Sequence, residues 1–105
     1  QYDESLKDFA KSIELDSVSE TAYYNRSITY RILGDSLHDS NYYTLAANDL
    51  SKCIQLSPQK PMYYYQRGIY RRLLNQKQEA CDDFGNAFNM KYEPAKYFID
   101  NYCGK

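Results

Sequence analysis

The sequence predicts an all-α fold, an α-α superhelix of stacked helix pairs that ends in a single closing helix. Three observations carry this. First, one helical face recurs. Ser5, Phe9, Ser12 and Ile13 read small, large, small, large at offsets that share one side of an α-helix. Ala46, Leu50, Cys53 and Ile54 repeat the pattern, and so do Ala80, Phe84, Ala87 and Phe88. Second, the spacing to the next helix is constant. Ser5 to Tyr23, Ala46 to Tyr64 and Ala80 to Phe98 are each 18 residues. Tyr23-Tyr24-Asn25-Arg26-Ser27-Ile28 also matches Tyr64-Tyr65-Gln66-Arg67-Gly68-Ile69. Third, no stretch sustains the two-residue alternation of a strand.

Taken in order, residues 1–17 read as the second helix of a truncated pair, helical over about 2–15. Residues 18–58 form a full pair with helices near 18–33 and 42–56. Residues 59–92 form another, near 61–75 and 77–90, and residues 93–105 close the stack with a helix near 94–103. Tyr64 to Ala80 is 16 residues, which with the 18-residue step makes a period of 34; Tyr23 to Ala46 is 23. The seven extra residues are assigned to a connection at 35–41, after Gly34, which is read as the left-handed residue ending its helix. Ser17-Val18-Ser19-Glu20 has the form of a capping box with Ser17 as N-cap. Pro58 cannot continue the helix it follows, and Pro61 and Pro94 suit a first helical turn.

Composition bounds the function. A chain of 105 residues, 43% hydrophobic and 26% charged, suits one globular domain. Thirteen basic and 14 acidic residues leave a net charge of -1, with no cationic field for nucleic acid. No apolar run approaches the roughly 20 residues of a membrane span, and no signal peptide is visible at the N-terminus. His38, between Asp35 and Asp39, is the lone histidine and reads as a solvated loop residue rather than a metal ligand or catalytic base. Asp82 and Asp83 are adjacent, point in different directions on a helix, and read as a solvated face. The expectation is a non-catalytic chain without metal or cofactor. Cys53 occupies the small-residue slot that Ala87 fills in the next unit, so it reads as a buried small hydrophobe.

The period, with Tyr23, Arg26, Ser27, Tyr30, Gly34, Ala46, Leu50 and Pro58 in one unit and Tyr64, Arg67, Gly68, Ala80, Phe84 and Ala87 in the next, resembles the tetratricopeptide repeat along nearly the whole chain. Arg71 stands where that family usually has a second Tyr, and Tyr92 replaces the closing Pro. The resemblance implies that small residues at Ser27, Ala46, Gly68 and Ala80 let paired helices approach, while Tyr23, Leu50, Tyr64 and Phe84 fill the space between.

It also implies a concave groove that binds a peptide or protein segment. The groove stripe is Thr21, Tyr24, Asn25, Ile28 and Ile32, then Met62, Tyr65, Gln66, Ile69 and Leu73, with Arg31 and Arg72 at its edge; it reads either as a peptide-binding surface or as a face that packs on a neighbouring segment. The function implied is a non-catalytic protein-interaction module. The alternatives are a helical-repeat protein stacking groove tyrosines on a glycan or small ligand, and a regulatory appendage of a larger enzyme. Asn25 matches the asparagine of the family's carboxylate clamp. Met62 and Gln66 stand where its basic partners belong, so no clamp is expected and binding should depend weakly on salt. The settings of Cys81 and Cys103 resemble the tail of many bacterial members; the two either bond, stapling the closing helix, or remain free thiols. The compartment stays open between cytoplasm and bacterial periplasm. Leu6, Phe9, Ile13 and Leu15 cannot all be covered by one neighbour, so that end is expected to meet upstream residues or another chain, a homo-oligomer included.

Overall fold

Small residues set at helical intervals decide how closely these helices pack. The computed structural model describes residues 1–104, and no strand occurs among them. The order is α1 (Tyr2–Leu15), α2 (Glu20–Leu37), α3 (Asn41–Leu56), α4 (Pro61–Leu73), α5 (Lys77–Asn89) and α6 (Ala95–Phe98), followed by a π-helical turn, Ile99–Cys103. Each helix packs on the next, α2 with α3 and α4 with α5 as the tightest pairs. The recurring face is where the core lies: Ala46, Leu50, Cys53, Ala80, Phe84 and Ala87 are all fully buried. Ser27 is buried too, its hydroxyl satisfied by donating to the Tyr24 carbonyl at 2.6 Å. One cluster gathers Tyr23, Ala46, Leu50, Cys53, Tyr63 and Tyr70, and a second gathers Ala80, Phe84, Ala87 and Ala95. Ile69 packs against both. Helix α1 is the exception, with no buried residue.

The helix ends correct the sequence reading in three places. The N-cap of α2 is Ser19, whose hydroxyl accepts from the Ala22 amide, not Ser17. Ser17 instead offers its carbonyl to the Tyr23 hydroxyl. Gly34 does not end α2, which runs on to Leu37, so the first three residues of the inserted segment extend the helix by about a turn. Gly34 is needed for room: a Cβ there would lie 2.9 Å from the Tyr43 ring. The left-handed terminator is His38, with φ 52°, and Asn75 and Lys91 hold the same conformation after α4 and α5. The closing helix makes only four α-helical residues before widening into the π turn.

Candidate partner-binding face

Two buried ion pairs set the positions of α2 and α4. Arg26 donates through Nε and Nη2 to both oxygens of Asp49, at 2.8 and 2.7 Å. Arg67 holds both oxygens of Asp83 in the same way, at 2.9 and 2.7 Å, and Arg71 adds a third bond at 3.1 Å. Such planar bidentate pairing is specific to guanidinium and carboxylate. Each arginine also lies over the tyrosine three residues before it, Tyr23 or Tyr64, at 5.8 Å. Each of those tyrosines donates to a carbonyl six residues upstream, that of Ser17 or Pro58. The repeat therefore extends to its polar interactions. Burial pushes the Asp49 carboxyl above its ordinary pKa even with Arg26 on both oxygens. Asp83 is 1% exposed, which corrects its reading as a solvated residue; Asp82 is the exposed one of the two. A signal was present: Arg26 to Asp49 and Arg67 to Asp83 differ in spacing by the same seven residues as the inserted segment.

With those faces committed inward, the stripe residues fall into three groups. Thr21, Asn25, Ile28 and Arg31 are exposed along α2, with Ile32 half-buried. Arg31 makes a 3.7 Å pair with Asp35, one turn on. Tyr24 and Gln66 join α2 to α4: the Tyr24 ring lies 5.7 Å from Tyr63, and the Gln66 amide nitrogen donates to the Tyr24 hydroxyl at 3.3 Å. The Gln66 amide oxygen is enclosed without a partner. Met62 is half-buried against the first cluster, and Leu73 is exposed at the far end of α4.

The third group turns toward the closing element. Tyr65 packs among Phe84, Tyr92 and Phe98, with ring centroids 5.0–6.0 Å apart. Ile69 lies between the two clusters. The Arg72 guanidinium sits over Phe98 at 5.5 Å and Tyr102 at 5.6 Å. The structure thus leaves most of the α2 stripe open and lays the closing element against Tyr65 on α4, with Arg72 and Leu73 still exposed there. Cys81 and Cys103 are bonded, with their Cα atoms 5.7 Å apart, and Cys53 is free, buried, and its thiol pushed up to about 12 by desolvation.

One cluster had no functional reading from sequence. Glu20 accepts from the Lys60 ammonium at 2.6 Å and from the hydroxyls of Ser57 and Tyr63. Lys60, then Ser57 and Tyr63, hold its carboxyl down to about 2. Ser57 and Lys60 flank the α3–α4 turn, so this carboxylate ties one helix pair to the next.

No family model matches the chain. Over 90 residues, 86% of its length, it is 31% identical to tetratricopeptide repeat protein 13 of Homo sapiens. The repeat is tetratricopeptide-like. The matching stretch spans 10% of that human protein's length.

Proposed function

We propose that the chain is a non-catalytic protein-interaction module that takes a peptide or protein segment along α2. The observation that carries this is the division of the tyrosine-bearing helices. The residues that hold the repeat together are buried, while Thr21, Asn25 and Ile28 stay exposed next to the Tyr24–Gln66 bridge. An apolar side chain one turn beyond two hydrogen-bonding ones suits an extended backbone: Ile28 gives contact area, and Asn25 and Thr21 bond amides and carbonyls. The likeness to a protein named for tetratricopeptide repeats supports the same class.

The face holds few charges, and Arg31 already pairs with Asp35. Binding rests on contact and neutral hydrogen bonds, so its salt dependence is weak. The test is a peptide-display selection on the folded chain, followed by titration of a selected peptide. Ile28→Glu raises Kd about tenfold or more with an unchanged melting temperature, and Asn25→Ala raises it several-fold. Between about 50 and 500 mM salt the affinity moves less than about threefold. Tyr65→Ala is unsuitable as a binding probe, because Tyr65 supports the second core cluster. Selected peptides indifferent to Ile28→Glu and steeply salt-dependent overturn the proposal.

A further inference from the structure

The closing element, residues 95–103, is held by two different means, apolar packing along its length and a second grip at its end. At its start Ala95 is fully buried, and Phe98 stacks on Phe84 at 4.6 Å and meets Tyr65 at 5.9 Å. At its end, where Ile99 and Tyr102 still pack on the second core cluster, the added grip is Arg72 and Lys77 over Tyr102, at 5.6 and 5.5 Å, together with the bond from Cys103 to Cys81 near the start of α5. From Lys96 onward every backbone hydrogen bond among the described residues is local, as in Lys96 to Glu93 and Gly104 to Ile99. Nine residues are too few to stay helical in water without tertiary support. The π turn changes the direction in which Cys103 leaves the axis, and π turns are an uncommon form that a helix adopts under local demand.

We propose that the Cys81–Cys103 bond is a redox latch on this element, and that its reduction by a dithiol frees residues 95–103 and uncovers Tyr65 on α4, beside the already exposed Arg72. Both bonded cysteines are partly exposed, so a thiolate can reach them, whereas Cys53 is fully enclosed and does not enter the exchange. One thiolate of the dithiol attacks one of the bonded sulfurs and forms a mixed disulfide, and the other cysteine leaves as a thiolate that takes up a proton. The second thiolate of the reagent then closes on the first, releasing the remaining cysteine, which is also protonated. Two electrons and two protons pass to the chain, and the dithiol becomes a cyclic disulfide. Removing the cross-link opens a loop whose ends are 22 residues apart, so the element keeps only side-chain contacts against its restored freedom. Tyr65, which it covers, is the counterpart, 41 positions on, of Tyr24, and Arg72 beside it is that of Arg31. The unlatched chain therefore offers its partner a face one helix longer; this last consequence rests on the function proposed above, and the latch itself does not.

The test is amide hydrogen exchange read peptide by peptide, on the folded chain with and without dithiothreitol and on a Cys81→Ser/Cys103→Ser variant. Amides of 95–103 exchange about tenfold faster or more in the reduced chain, while those of α2 and α3 keep their rates. The double variant matches the reduced chain with or without reductant. Unchanged rates in 95–103, or an equal acceleration in α2 and α3, overturn the latch. Titration of a display-selected peptide in both redox states reads the second consequence separately: local opening without any change in affinity leaves the latch standing and removes the partner face on α4.

Discussion

At the scale of single residues, two glycines in this chain call for opposite outcomes. A methyl at Gly68 would lie 2.8 Å from Phe84 Cε1 and 3.2 Å from Asp83 Cβ, and Phe84 is fully buried and cannot swing aside. Alanine gains about 1 kcal/mol of helix propensity over glycine, but overpacking costs about 1–3 kcal/mol. Gly68→Ala therefore destabilises the fold. A methyl at Gly85 meets nothing within 4 Å, so Gly85→Ala keeps the propensity gain and stabilises by about 0.5–1 kcal/mol. Urea midpoints of the two variants check the pair, and equal signs would remove the close-approach argument. The buried ion pairs separate in the same way. Arg26→Met leaves Asp49 without a cation and costs about 3 kcal/mol. Arg67→Met costs less, because Arg71 still reaches Asp83 at 3.1 Å. Thermal unfolding that ranks Arg67→Met as the more damaging change would contradict this.

At the scale of elements, the junction between pairs depends on one carboxylate. Glu20 opens α2, where negative charge is favoured by the helix dipole, and it reaches across to Ser57, Lys60 and Tyr63. Its carboxyl falls from an ordinary 4.5 to about 2 in the fold. A depressed carboxylate stabilises the fold fully above its unfolded pKa and ceases to do so as pH falls through the folded one. The contribution is thus complete above pH 4.5 and is lost between 4.5 and about 2. Glu20→Gln should lower stability at pH 6 by about 1–2 kcal/mol, and the gap to the parent chain should close toward pH 2. Urea unfolding at pH 6 and at pH 2.5 measures it. A gap of constant size would show that the ionised form is not what matters.

At the scale of the whole molecule, the two ends of the stack are unlike. The far end is covered by α6 and its cross-link, whereas α1 carries no buried side chain and leaves Leu15 79% and Tyr2 41% exposed. In a stack each helix is stabilised by its neighbours, so a helix with one neighbour opens first. In dilute solution the amides of α1 should exchange at least about tenfold faster than those of α3. Protection of α1 that grows with protein concentration would identify a second copy as the cover for its apolar residues, one of the covers expected for that end besides upstream residues. Rates in α1 equal to those in α3 at the lowest concentration would mean that α2 alone suffices.

The sequence by itself determined the fold class, the two helix types and the buried face, because small and large residues at helical offsets can be satisfied only by close helix pairing. It also placed Cys53 and the small residues Ser27, Ala46, Gly68 and Ala80 inside. What it could not determine were features fixed by partners distant along the chain. Gly34 looks like a terminator until the Tyr43 ring is seen against it. Asp83 looks solvated until Arg67, on another helix, closes on it. Tyr65 looks like open surface until Phe98 of the closing element lies against it. Local pattern records what a residue can do on its own helix. Burial and pairing depend on what approaches from outside that helix, and the tertiary structure alone decides that.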